Sequence, residues 1–373
     1  MAQAFINPSI LTWARERAGL AVSGIAAKIK VKPEQVSLWE RGEKRPTLRQ
    51  AQLFAHKTNI PLGYLYLRTP PKEELLLPDL RTMGDHPVQG YSAELRDTLR
   101  MTLERQEWYR EYSLHNDYAP LSWPGTGDVG DFDGTLALLH ELLDGEEPRP
   151  TSFENYYTQL RNKIEALGVL VMRNSVVGNN VHRRLDRNEF RGFAISDDRA
   201  PVIFINTADT PQAQIFTLLH EFAHLLLGES GVSDLSPHNL RKIEHVCNRL
   251  AAEFLVPSAD FSELWRKDLK DWQANLPVLA RHFHVSQWVI ARRALEHELI
   301  SEKDYWAYYH QLLEHLKRRG TDGTGPSFNR LIKARYGDRL TTAIASEALS
   351  GRMLLRDASR LIGVRPEKIK VSL

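Results

Sequence analysis

PQAQIFTLLHEFAHLLLG, residues 211–228, decides how the rest of the chain is read. Ile215, Phe216, Leu218, Leu219, Phe222, Ala223, Leu225, Leu226 and Leu227 fall on nearly every face of one helix, which predicts burial all round. Asn206, Asp209 and Thr210 offer capping groups ahead of it, and Pro211 sits where a first-turn proline is tolerated. Gly228 is a common C-terminal stop. Three polar residues nevertheless lie in the middle: His220, Glu221 and His224. The two histidines are four apart, so they project from one face and can each give a nitrogen to one metal ion. Glu221 is turned roughly 100° around the helix from His220, within reach of water at such a centre without being a ligand.

This is the H-E-x-x-H spacing of zinc peptidases, in which the glutamate is the general base. With 14 histidines in the chain, chance or a buried structural His pair is the alternative. A catalytic zinc needs a third protein ligand, and RKIEHVCNRLAAEFLVP, residues 241–257, reads as the helix that supplies it. Glu244 completes two His plus one Glu, and Asn248, one turn on, is placed to hydrogen-bond a ligand histidine. His245 and Glu253 are the rival ligands; Cys247 is read as a small buried residue.

The 373 residues predict two or three domains, and 42% hydrophobic content is ample for a core. Net charge is +2, but residues 1–67 hold ten Lys/Arg and four Glu. That local basicity points to a polyanion partner. The single cysteine excludes an intrachain disulfide. No apolar run reaches the ~20 residues of a membrane span, and the N-terminus lacks a secretory pattern, so the expectation is a cytoplasmic protein without membrane association.

In residues 1–68 the signals predict helices at Pro8–Arg17, Val22–Ile29, Pro33–Arg41 and Leu48–Thr58, with a fifth opened by Pro61. A short helix, a tight turn and a second short helix is the helix-turn-helix plan. Gln35 and Ser37 are candidates for base edges, and Lys32, Arg41, Lys44 and Arg45 for phosphates. Residues 69–150 read as a helical connector in which Ala93–Tyr112 presents Arg96, Arg100, Arg105 and Arg110 as a solvated face. Residues 151–300 begin with a helix over Ser152–Ala166 and three short strands within 169–172, 190–195 and 201–206. Residues 276–293 again show helix-turn-helix spacing, read as packing for the metal helices, and His282 and His284 as structural. Residues 301–373 are predicted as short helices without evident chemistry. The fold class expected is mainly α with a small β-sheet, α+β.

GIAAKIKVKPEQVSLWERGEKRPTLRQAQLFA, above all VSLWERGEKRPTL, resembles the XRE (Cro-like) helix-turn-helix family. FTLLHEFAHLLLG followed by EHVCNRLAAEFLVP resembles the ImmA/IrrE metallopeptidase family, whose second helix has the form E-x-x-A-N-x-F-A-A-x-x-L-x-P. Glu244, Asn248, Ala251, Ala252, Leu255 and Pro257 match it; Cys247 and Leu250 replace the usual Ala and Phe. LLPDLRT and FRGFAISDDRAPVIFIN are similar to longer members with an XRE domain in front. The resemblance implies operator DNA as a partner, a homodimer, a gluzincin-like zinc centre (manganese the alternative metal), and cleavage of a repressor or other regulatory protein with Glu221 as general base. A regulator or antitoxin with a toxin partner, using the peptidase fold as scaffold or sensor, is the alternative. His238 and Tyr157 are weak candidates for a further oxyanion donor.

Overall fold

A computed structural model describes residues 3–71, 91–143, 152–233, 242–269, 271–318 and 328–371. The stretch KEELLLPDLRT, the linker expected at Glu146–Pro150, the loop GTDGTG and His238 lie outside the described residues. The rest divides into two units, one of residues up to 71 with 91–100, the other of residues from 101 onward.

In the first unit the Asn7 side chain accepts the Ser9 N–H and caps α1 (Pro8–Arg17). Next come α2 (Val22–Ile29) and α3 (Pro33–Glu40). The turn between them is made by Lys30 in the left-handed region at φ 57°, and the Val31 N–H closes it onto the Ala26 carbonyl at 3.0 Å. A reciprocal capping box between Thr47 and Gln50 starts α4 (Leu48–Lys57). The fifth helix, opened by Pro61, is a single stretch of 3₁₀-helix, Leu62–Tyr66. Ile10, Ile25, Val36, Trp39, Phe54 and Leu65 form its core. Helix α5 (Ala93–His115) begins in this unit. Its Asp97 receives the buried Arg17 guanidinium at 2.5 Å, and Arg96 donates to the Arg17 carbonyl at 2.9 Å.

The second unit is mainly helical around a small sheet. In chain order it holds the rest of α5, α6 (Phe132–Leu143), α7 (Phe153–Ala166), β1 (Leu170–Asn174), β2 (Val176–Val177), β3 (Asn180–Arg184), β4 (Gly192–Ile195) and β5 (Val202–Asn206). Helix α8 (Pro211–Leu226), β6 (Gly231–Ser233), α9 (Lys242–Leu255), α10 (Ser258–Leu264), α11 (Asn275–Phe283) and α12 (Gln287–Glu296) follow. The chain then runs through α13 (Glu302–Arg318), α14 (Phe328–Tyr336), α15 (Asp338–Leu349) and α16 (Leu355–Ile362). The four-stranded sheet has the order β1-β5-β4-β6, with β1 parallel to β5 and the other pairs antiparallel. Three strands ahead of the metal helix were expected; the chain adds the hairpin β2–β3, and β6 after that helix. The hairpin carries no apolar alternation on Asn-Val-His-Arg-Arg to announce it, and β6 is three residues long.

The solvated arginine face expected on α5 is corrected at one position. Arg105 is buried; its guanidinium donates to the Leu361 carbonyl at 2.7 Å and lies 4.6 Å from the Tyr336 ring centroid, tying α5 to the C-terminal helices. Helices α11 and α12 repeat the turn of α2 and α3. His284 takes φ 56° and the Val285 N–H bonds the Ala280 carbonyl at 3.1 Å. Here the pair is fixed into the core by Leu279, Phe283, Val289 and Ile290, and by buried Arg293, which meets Glu253 at 2.6 Å.

Candidate metal centre

Helix α8 is buried at every residue from Gln214 to Leu226. Each buried Leu, Ile or Phe contributes roughly 1.5–3 kcal/mol, which holds the helix in place despite the polar groups in its middle. The Thr210 hydroxyl accepts the Ala213 N–H at 3.3 Å to start it. At its far end the amides of Gly125 and Gly127 donate to the Leu225 and Leu226 carbonyls at 3.0 and 2.8 Å. These bonds satisfy acceptors that a helix end leaves over. The approach is close enough that Gly228, at φ 74°, has no room for a side chain: a Cβ there would lie 3.0 Å from the Gly125 Cα.

Helix α9 lies against α8 and brings Glu244 to the two histidines. His220 Nε2 and His224 Nε2 are 3.1 Å apart. Glu244 Oε2 is 3.3 Å from the first and Oε1 3.4 Å from the second. Ligands held about 2.0–2.1 Å from a tetrahedral zinc stand about 3.3–3.4 Å from one another. The three separations are close to that length, the two carboxylate distances running to different oxygens, and the donor chemistry, two imidazoles and a carboxylate, suits that ion. They form a group that could hold a metal ion, buried on all three members.

The surroundings tune these groups. Burial lowers the pKa of His220 and so favours the neutral imidazole that a metal requires. Burial opposes ionisation of Glu244, but hydrogen bonds from His220 and His224 outweigh it and hold the carboxyl well below the usual carboxylate range. Asn248 contributes a further hydrogen bond to the His220 side chain. Of the rival ligands, His245 is exposed on α9. Glu253 is engaged elsewhere: its carboxylate accepts the Ser258 N–H and hydroxyl, each at 2.8 Å, and the Arg293 guanidinium. Burial pushes the Cys247 thiol up, as for a small core residue.

Glu221 is not one of the three. Its Oε1 lies against β4 at Gly192, where a Cβ would come within 2.8 Å of it. Gly192 is the residue the sequence did not single out. The signal, a glycine opening an apolar strand, is common to bulges and close backbone approaches. Tyr157 is fully buried on α7. Burial first of all pushes its hydroxyl up to about 12, and the charges acting on it are Arg173, Arg161, Glu154 and Glu165. The Arg173 guanidinium covers its ring at 4.5 Å.

In the first unit Lys32, Arg41, Lys44 and Arg45 are exposed, and Gln35 and Ser37 are partly so. Ser37 donates back to the Pro33 carbonyl at 3.3 Å. Arg41 meets Glu43 at 2.5 Å, and the Arg45 guanidinium lies 4.0 Å from the Phe5 ring centroid. Among the described residues no helix is long and apolar enough to cross a membrane.

An H-E-x-x-H helix, a glutamate from the following helix and a small sheet make up a metallopeptidase-like domain. Residues 164–295 match the family described as IrrE N-terminal-like domain, residues 11–65 the helix-turn-helix family, and residues 336–370 a domain of unknown function. The chain thus joins an XRE-type helix-turn-helix domain to an IrrE/ImmA-like domain. No curated protein and no solved structure matches it.

Proposed function

We propose that this chain is a DNA-binding regulator carrying a metal-dependent endopeptidase, and that the peptidase cleaves a repressor or another regulatory protein. The observation that carries the reading is the close grouping of His220, His224 and Glu244 beside a separate carboxylate, Glu221, seated in a gap left by a glycine. The proposed division is residues 1–68 for DNA binding, 69–150 as connector, 151–300 as the peptidase and 301–373 as a helical extension. In the first of these, Gln35 and Ser37 meet base edges, and Lys32, Arg41, Lys44 and Arg45 meet phosphates.

His220, His224 and Glu244 hold the metal, zinc by preference and manganese or iron as alternatives. When bound, such an ion polarises a peptide carbonyl and makes water more acidic. Asn248 keeps the His220 ring oriented. Glu221 takes the proton of the attacking water and returns it to the leaving amine. Gly192 leaves the carboxylate its place, and the apolar side chains of α8 keep bulk water out.

A second reading has one observation in its favour. His220, Glu221, His224 and Glu244 are each at most 3% exposed, so a polypeptide reaches them only after their surroundings move. The same centre inside a regulator would serve as a metal sensor without cleavage. Glu221→Gln separates the two. A peptidase retains its metal and loses cleavage of a co-expressed repressor; a sensor retains metal-dependent operator binding unchanged. Wild type carrying one metal per chain, cleaving no candidate and changing its operator affinity with metal would overturn the peptidase reading.

A further inference from the structure

Strands β1, β4 and β5 are largely or wholly buried, whereas β3 is exposed at Asn180, Val181, His182 and Arg184. Val181 is an apolar side chain 62% in water. From Asn179 to Arg191 the chain carries four arginines against Asp186 and Glu189. The Asp186 carboxylate is engaged by the amides of Asn188, at 2.8 and 3.0 Å, and Arg191 pairs with Asp209 at 3.4 Å. Arg184 and Arg187 have no ion pair among the described residues. Strand β3 pairs only with β2, so among the described residues no further strand covers its outer edge, where the Asn180 side chain accepts the His182 N–H at 3.0 Å.

The hairpin leaves the sheet beside the candidate centre. It follows directly on β1, whose last residue Asn174 pairs with Asn206 of β5. The neighbouring Ile205 pairs with Gly192 of β4, the residue in contact with Glu221. The base of the hairpin and Gly192 are therefore at the same end of the sheet, two strands apart, which is about 10 Å.

We propose that the outer edge of β3 is an exosite for an acidic, extended segment of the protein substrate. The segment adds as a further strand, its carboxylates pair with Arg184 and Arg187, and its neighbouring residues run on toward Glu221. Side chains two apart on a strand share a face, so His182 and Arg184 face the same side of β3, and Arg187 follows in the turn just after it. An open backbone edge carrying an exposed valine fits strand addition to a polypeptide. A duplex would use the charge alone. The word substrate rests on the peptidase reading above; the binding surface does not.

The test uses the full chain and two fluorescent decapeptides, one alternating Glu and Val, the other alternating Lys and Val, read by anisotropy. The acidic peptide binds wild type and weakens with added salt, because the pairs are partly exposed. Reversing both charges in Arg184→Glu/Arg187→Glu costs about tenfold in affinity, from two partly exposed pairs of at most ~1 kcal/mol each. Arg184→Lys/Arg187→Lys restores most of it, and the basic peptide prefers the reversed variant. Arg184 is exposed and Arg187 half-buried, so an unchanged unfolding midpoint is needed to verify the fold. Equal affinity of wild type and the reversed variant for the acidic peptide overturns the proposal. So does a DNA duplex that loses about tenfold in affinity with the reversed variant when Arg41, Lys44 and Arg45 are already Ala, since the hairpin is then a nucleic-acid surface. Binding needs no turnover: a chain that binds the acidic peptide through these arginines and cleaves nothing keeps the exosite and removes only the peptidase.

Discussion

Gly192→Ala tests the contact between β4 and Glu221 with a single methyl group. That methyl would stand 2.7 Å from Thr217 Cγ2, 2.8 Å from Glu221 Oε1 and 3.0 Å from the Phe204 carbonyl oxygen. Carbon atoms rest comfortably at about 3.5–4.0 Å, so the closest contact is short by roughly 0.8 Å or more. The Phe204 carbonyl belongs to the β5 ladder and cannot yield cheaply. Thr217 is anchored by its hydroxyl, which donates to the Ala213 carbonyl at 2.9 Å. Glu221 is therefore the group that moves. Overpacking of this kind costs about 1–3 kcal/mol, and each kcal/mol lowers the midpoint by roughly 2–4 °C in a unit of this size. A catalytic group displaced by ~1 Å loses on the order of 10² in rate.

Three measurements read the consequence: thermal unfolding, metal per chain and cleavage of a candidate repressor. The metal should stay, because His220, His224 and Glu244 are not among the atoms the methyl meets. The decisive arm is a double-mutant cycle. In a Glu221→Ala background one of the three short contacts is gone, and Gly192→Ala should cost about 0.5–3 kcal/mol less than it does in wild type. An unchanged midpoint for Gly192→Ala alone, or a cycle without coupling, would refute the claim that the glycine exists to seat this carboxylate.

Other expectations follow from single contacts. Glu244→Ala should abolish stoichiometric metal, so that added zinc no longer raises the unfolding midpoint; a variant still stabilised by zinc would place the third ligand elsewhere. Arg17→Ala leaves Asp97 buried beside a missing partner and should destabilise the first unit by about 3–5 kcal/mol, while Arg17→Met with Asp97→Leu should be close to neutral. A cost below ~1 kcal/mol in chemical denaturation for Arg17→Ala would show the pair to be idle. Burial raises the Glu165 carboxyl from the ordinary carboxylate range to about 7. The folded state therefore holds the proton more tightly, and this contribution is fully present below pH ~4.5 and lost as pH rises through about 7. Glu165→Gln should flatten that fall and be more stable than wild type at pH 8, by up to about 3 kcal/mol. Parallel stability profiles for the two proteins would discount it.

The metal helix was legible in detail because several local signals agree on it. Thr210 and Pro211 start it, Gly228 ends it, and the apolar run leaves His220, Glu221 and His224 as polar residues without a packing reason. The helices of the first unit were legible for the same reason, their caps and stops falling where the chain turns. The ligand on α9 needed one further step, because nothing in a linear sequence says which face of a following helix meets the first. Two features were not legible. Strand β3 has the composition of a polar loop, and only its pairing with β2 makes it a strand. Arg105 on α5 has the period of a surface residue, yet a carbonyl at the end of α16, 256 residues away in the chain, takes it into the interior. Both depend on partners remote in sequence or on backbone pairing, and neither leaves a local trace.

The separation of roles at the centre is what favours chemistry over mere metal retention. A closed structural site takes four protein ligands, and among the described residues this group has three. The third ionisable residue of α8, Glu221, is turned to β4 instead and is fully buried there. Burying a carboxyl costs several kcal/mol unless the surroundings compensate, so a chain that needed only a metal staple would be more stable with an apolar residue at this place. It would be more stable again with a side chain at position 192, since glycine in a strand interior gives up packing and adds backbone entropy to the unfolded state. The two costs fall on touching residues and are explained together if the carboxylate is held against β4 to act as the general base proposed above. That makes Glu221 with Gly192, more than the histidines, the pair on which the enzymatic reading turns.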